Sequence, residues 1–231
     1  MGSIGSRLQE VKGRIERACL AAGRDENSVT LLAVSKTFGA DAVRQAHAAG
    51  QRRFGENYVQ EAIAKIQALA ELRTGLEWHL IGPLQSNKTR AVAETFDWVH
   101  TVDRLKVAER LAEQRPAGLA PLQLCLQVNV SGEASKSGVA VAEAAALAAA
   151  VTTLPREKVC LRGLMAIPEP ATGPQAQRAP HRALRELLQA INAQQGLALD
   201  TLSMGMSTDL EAAVHEGATI VRVGTAIFGT R

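Results

Sequence analysis

The chain has 231 residues, of which 46% are hydrophobic and only 3% aromatic, and its net charge is +3. That length and composition suit one α/β unit with an aliphatic core. The small net charge without a basic run argues against a nucleic-acid partner, and no apolar segment reaches the length of a membrane span.

Residues 4 to 22 carry Ile4, Leu8, Val11, Ile15, Cys19 and Leu20 at helical spacing, and Gly23 is placed to end that helix. VTLLAVSK, 29 to 36, reads as a strand, followed by a helix over 42 to 50, a strand at 52 to 57 and a helix over 58 to 72. Next come a strand at 77 to 83 closed by Gly82 and Pro83, a helix over 87 to 96, a strand at 97 to 103 and a helix over 104 to 115. The second half repeats the pattern, with strands at 122 to 130, 159 to 168, 200 to 207 and 219 to 229, and helices over 141 to 154, 179 to 195 and 209 to 217. The stretch EPATGPQAQR, 169 to 178, reads as a mobile loop.

Eight strands alternating with helices imply parallel pairing through helical crossovers, and the number eight points to a single (β/α)8 TIM-type barrel spanning 1 to 231. No helix is expected after the last strand, so the N-terminal helix is expected to complete the outer ring. A doubly wound open sheet is the alternative, weakened by the lack of a GxGxxG turn after the first strand. The N-terminus lacks the apolar core of a signal peptide. Cys19, Cys125 and Cys160 have neither metal spacing nor a disulfide pattern. They read as buried small hydrophobes in a reducing, cytoplasmic compartment.

Lys36 closes the apolar run LLAVSK. Its ammonium either reaches water, as at many strand ends, or stands at the mouth of a pocket where burial lowers its pKa and lets it attack a carbonyl. The loops after the seventh and eighth barrel strands are the usual phosphate sites of this architecture. After the seventh comes SMGMSTDLEAA, where Gly205 permits a tight turn and Ser207 or Thr208 can cap the next helix. After the eighth comes VRVGTAIFG, where Gly224 allows close backbone approach and Thr225 adds a hydroxyl. Closure sets the first strand beside the eighth, so an amine and a phosphate pocket meet. That pairing suits a phosphorylated aldehyde, of which pyridoxal phosphate is the common cofactor. Arg222, two residues before Gly224, faces the same side of its strand and can reach a pyridine nitrogen or pair with a carboxylate.

The stretches LLAVSKT, FGENYVQEA, EWHLIGPLQSNK, VHTVDR, QVNVSGEASKSG, GLMAIP, LSMGMSTDLEAA and VRVGTAIFG cover the chain from about residue 29 onward and fall on every predicted strand. In these stretches the chain resembles the pyridoxal phosphate homeostasis proteins, single-domain relatives of the alanine racemase barrel. The resemblance implies that Lys36 holds pyridoxal 5'-phosphate as an internal aldimine. It implies that Ser207, Gly224, Thr225 and the backbone from Met204 to Thr208 hold the phosphate, and that Arg222 faces the pyridine nitrogen. By the same resemblance Asn57 lies near the ring, Met165 and Met204 pack close to its plane, and His79 and Asn87 stand near the mouth. A strand histidine is commonly a hydrogen-bonded core residue, so His79 has that second reading.

The implied function is to bind pyridoxal phosphate, keep its free concentration low and pass it on, maintaining vitamin B6 homeostasis without efficient catalysis. The candidate receivers are apo forms of pyridoxal phosphate-dependent enzymes, and the chain is expected to be a monomer with no membrane or nucleic-acid partner. Lys136, in the loop after the fifth strand, is either a second amine for transfer or a solvated lysine. An amino-acid racemase is the alternative function, and an unrelated barrel isomerase a third. The racemase reading needs acid–base groups on both substrate faces. The lone tyrosine, Tyr58, reads as a packing or hydrogen-bonding residue rather than the second acid.

Overall fold

The computed structural model describes residues 2–132 and 137–230. Eight parallel strands close into a barrel: β1 (Thr30–Val34), β2 (Arg53–Glu56), β3 (Glu77–Leu80), β4 (Trp98–Val102), β5 (Leu122–Asn129), β7 (Val159–Met165), β8 (Thr201–Ser203) and β9 (Ile220–Val223). The two-residue strand β6 (Val139–Ala140) pairs in parallel alongside the end of β5. The ring runs β4-β3-β2-β1-β9-β8-β7-β5, and a β4–β5 pairing closes it. Leu32 of β1 lies opposite Arg222 of β9, so the first and last strands meet as closure requires.

Successive side chains of a strand alternate between the barrel interior and the helical shell. Leu32, Val34, Ile81 and Ile220 form a small apolar cluster apart from the main core. Their strand neighbours, including Leu31, Ala33, Leu80, Val221 and Val223, belong instead to the large core cluster. The outer ring contains α1 (Ile4–Ala21), α2 (Ala40–Ala48), α3 (Val59–Ala68), α4 (Thr89–Thr95), α5 (Leu105–Gln114), α6 (Val141–Thr152), α7 (Pro174–Gln195) and α8 (Leu210–His215). Helix α1 packs against α8 and α2, and so fills the place expected for it.

Three expectations are corrected. The last strand ends at Val223, and Thr225–Phe228 forms a short helix, α9, so a helix does follow the barrel. Phe228 turns back to stack on Phe38, with centroids 5.2 Å apart, which favours a helical turn over a longer strand. Helix α7 begins at Pro174, not 179, which shortens the loop read at 169 to 178. Gly173, at φ 90, makes the turn, and proline at the first helical position forfeits no intrahelical bond. Cys19 and Cys125 are buried as expected, but Cys160 is only half-buried. Burial pushes the Cys125 thiol up to about 12, which leaves it inert.

Candidate functional site

A cavity of about 590 Å³ opens at the C-terminal ends of the strands. It is built mainly from the ends of β1, β2, β3, β8 and β9. β1 delivers Val34 and Lys36, β2 delivers Asn57, and β3 delivers Ile81. The turn after β8 delivers Met206, Ser207 and Thr208, while β9 and its turn deliver Arg222, Gly224 and Thr225. Thus Lys36, Asn57, Ser207, Thr208, Arg222, Gly224 and Thr225, scattered over the sequence, line one space.

Lys36 follows β1 and is exposed, so the burial expected for it is absent. The next residue, Thr37, has φ 70, which is strained for a β-branched side chain. Its N–H donates to the Glu61 carboxylate, which stabilises the turn. Glu61 in turn meets Lys65 at 3.2 Å, and the buried Lys65 is 2.6 Å from the buried Glu56. The amine of Lys36 therefore stands on a turn braced from α3.

Gly224 lets β9 pass close to β1: a Cβ there would stand 3.1 Å from the Val34 carbonyl oxygen. Gly205, at φ 91, turns the chain after β8 where a Cβ would collide with Ala213. Asp209 shapes the rest of that turn by accepting from the Met206 N–H at 2.7 Å. Burial pushes the Asp209 carboxyl upward, but the His181 hydrogen bond and the Met206 N–H hold it below its usual range. The backbone N–H groups of Ser207, Thr208, Thr225 and Ala226 have no hydrogen-bond partner among the described residues. Such amides, with the adjacent hydroxyls, favour an anion.

Arg222 is 4% exposed, and its guanidinium donates to the Ser203 carbonyl and hydroxyl and to the Ala166 carbonyl. Carbonyls and a hydroxyl hold it, and no carboxylate touches it among the described residues, which answers the open question of an ion pair. Burial pushes its pKa down to about 10, so it stays cationic at neutral pH. Asn57 lines the cavity, while its side-chain oxygen is buried and has no partner among the described residues.

Other predicted residues are not among those that line the cavity. Met165 and Met204 are fully buried and do not line the cavity; they lie in the packed interior. Gly205 shapes the turn without lining the space. Asn87 is exposed and does not line the cavity, and Tyr58, 56% exposed, neither packs in the core nor lines the cavity. His79 is a buried, hydrogen-bonded interior residue, its second reading. Lys136 lies outside the described residues. Ile81, Phe38 and Ile167 also line the cavity and were not expected. Ile81 follows from the inward alternation of β3, whereas Ile167 comes from an irregular segment with no such signal. No group of metal ligands occurs among the described residues, and no described helix is long and apolar enough to cross a membrane.

Residues 8–231 match the family model described as alanine racemase, N-terminal domain. The pyridoxal phosphate homeostasis protein of Pseudomonas aeruginosa is 62% identical over 231 residues, covering 100% of this chain and 97% of that protein. The protein of the same name from Escherichia coli K12 is 53% identical, covering 100% of this chain and 98% of its own length. The solved structure of PipY from Synechococcus elongatus PCC7942 with PLP bound is 41% identical, covers 98% of this chain and 100% of that one, and superposes with a TM-score of 0.85. An inward-facing barrel-end cavity, full-length identity to named relatives and the matching family model agree, and the chain belongs to the pyridoxal phosphate homeostasis protein family, built on the alanine racemase N-terminal domain.

Proposed function

We propose that this chain binds pyridoxal 5'-phosphate in the cavity above β1, β8 and β9 and maintains intracellular vitamin B6 homeostasis by buffering or delivering it. The observation that carries the reading is the meeting of Lys36, Arg222 and the Ser207–Thr208 and Gly224–Thr225 turns around one 590 Å³ space. That volume falls within the roughly 300–1,000 Å³ of small-ligand sites. The residues suit the group: uncommitted amides and hydroxyls for a phosphate, an uncommitted amine for an aldehyde, and a cation and the Asn57 amide side chain for a ring and its substituents. When bound, the cofactor would supply an electrophilic aldehyde, which the Lys36 amine would hold as a lysine aldimine with release of water. The partners are the small molecule and, for delivery, apo forms of enzymes that use it.

Efficient catalysis is not part of this reading. Among the described lining residues, Lys36 and Arg222 are the ionisable ones. Racemisation needs a second proton donor on the opposite face, and Tyr58 does not reach the cavity. A cationic Arg222 also disfavours protonation of a pyridine nitrogen and so weakens the ring as an electron sink.

The test is a titration of the purified chain with pyridoxal phosphate, followed by borohydride reduction and peptide mapping. The expected adduct is on the Lys36 peptide; an adduct elsewhere refutes the assignment. The loaded protein, incubated with L- and D-alanine in deuterated water, is expected to show α-carbon exchange far slower than about one turnover per second. Exchange at that rate, lost in Lys36→Ala, makes the chain an enzyme.

A further inference from the structure

Beneath the cavity a line of hydrogen bonds follows the barrel interior. Arg222 Nη1 donates to Ser203 Oγ at 2.8 Å, and Ser203 Oγ is 2.8 Å from His100 Nδ1. His100 Nε2 is 2.9 Å from His79 Nδ1, and His79 Nε2 is 2.8 Å from Glu77 Oε1. Glu77 meets Arg53 at 3.0 Å at the N-terminal end of the barrel. The five residues of the line, from Glu77 to Arg222, come from β3, β4, β8 and β9. Ser203, His79 and His100 are fully buried.

The chemistry of the groups orders the protons. His79 faces Glu77, Arg53, Asp97 and His100 and stacks on Trp98 at 5.3 Å; His100 faces His79, Ser203 and Arg222. Burial lowers the pKa of both rings, so both are neutral at neutral pH and each has one donor nitrogen and one acceptor. Burial pushes the Glu77 carboxyl up, but the His79 hydrogen bond and Arg53 hold it below its usual range. An ionised carboxylate can only accept, so His79 Nε2 carries its proton and Nδ1 is bare. His100 must then donate from Nε2 and accept at Nδ1. The Ser203 hydroxyl proton goes to His100, and Ser203 Oγ is left to accept from Arg222.

We propose that Glu77, His79 and His100 are positioning residues for the cavity: they fix the Ser203 hydroxyl as an acceptor and so lock the Arg222 guanidinium in its orientation. Three of the five guanidinium N–H groups are thereby committed to Ser203 and Ala166, which leaves two for other partners. The arrangement holds a cation in the interior without a carboxylate against it. The carboxylate of the line sits at its far end, balanced by Arg53, while Asp209 interacts with Arg222 through space without touching it and moderates its field at the cavity. The role assigned to that field rests on the proposed function; the proton order does not.

The two parts are tested separately. In the ¹⁵N-labelled chain without added cofactor, long-range ¹⁵N–¹H spectra at neutral pH are expected to show the Nε2–H tautomer in both rings. Glu77→Gln, which can donate as well as accept, is expected to admit the other tautomer and to speed hydrogen exchange at the Arg222 guanidinium. With pyridoxal phosphate, the same variant is expected to bind about tenfold more weakly, the scale of outer-shell losses, with a displaced visible band, and Glu77→Asp is expected to recover part of both. An Nδ1–H tautomer in either wild-type ring overturns the inference. So do wild-type exchange at Arg222 and wild-type affinity in Glu77→Gln. If the wild-type chain takes up no pyridoxal phosphate while the tautomers and guanidinium exchange behave as expected, the proposed function fails and the positioning line stands.

Discussion

Arg14, on the N-terminal helix, donates a 3.1 Å hydrogen bond to the carbonyl oxygen of Ser207. The same guanidinium pairs with Glu211 at 2.9 Å, so α1 does more than fill a gap in the outer ring: it grips the turn that lines the cavity. Because the pair is partly exposed, Arg14→Ala is expected to cost only about 1 kcal/mol in urea unfolding. Its larger effect should be on the turn, with a several-fold weaker pyridoxal phosphate affinity by equilibrium titration.

Gly205 occupies a backbone conformation that disfavours side chains, and its missing Cβ is replaced in space by Ala213. Gly205→Ala therefore combines a positive-φ penalty with overpacking, each about 1–3 kcal/mol. A loss of about 2–5 kcal/mol on chemical denaturation is expected, and a loss below about 1 kcal/mol contradicts the geometry.

Ser207 and Thr225 stand on the two turns assigned to the phosphate. Replacing both with alanine is expected to weaken pyridoxal phosphate binding by about 10- to 100-fold, the equivalent of one or two charge-assisted hydrogen bonds. Lys36→Ala is expected to lose the visible band yet retain measurable binding, because the phosphate contacts are separate from the amine. Equal affinities of the Ser207/Thr225 double variant and wild type contradict the assignment.

Glu216 is buried beneath three arginines, Arg178, Arg182 and Arg185, at 2.6, 3.0 and 2.8 Å. Burial pushes its carboxyl up, but the Arg182 and Arg178 contacts win and hold it at about 2. A carboxyl lowered on folding adds stability above its unfolded pKa and loses it as pH falls toward the folded value. Glu216→Gln is thus expected to be less stable than wild type at neutral pH, by up to about 3 kcal/mol. The difference should shrink steadily between about pH 4.5 and 2 as wild type loses the same interaction. A gap that is constant with pH contradicts the assignment.

Lys65 and Glu56 form a buried pair behind the Lys36 turn, with the Ser35 hydroxyl donating to Glu56 at 2.6 Å. Lys65→Met leaves the carboxylate buried without its cation and is expected to cost about 3–5 kcal/mol. Replacing both partners with apolar residues should cost less than the single change, as read by thermal or urea unfolding of the three variants.

Much of this molecule is legible in its sequence because the signals are local. The alternation of apolar strands with amphipathic helices, punctuated by Gly23, Gly82 and Pro83, is enough to propose a closed eight-stranded barrel. Once the barrel is assumed, its topology puts the turns after β8 and β9 beside β1, so Lys36, Ser207, Arg222 and Gly224 could be grouped from their positions alone. Local pattern could not say where β9 stops, because the helical turn Thr225–Phe228 is favoured by a stack on Phe38, a residue far away in the chain. Nor could it separate residues that line the cavity from those one layer below. Met165 and Met204 sit on barrel strands or their ends like the lining residues, but packing depth excludes them. The line from Glu77 to Arg222 has no signature at all: its members lie on four strands, and no spacing relates them. Alternation dictates that each faces inward, but only barrel closure and strand register decide which inward groups come within hydrogen-bonding distance.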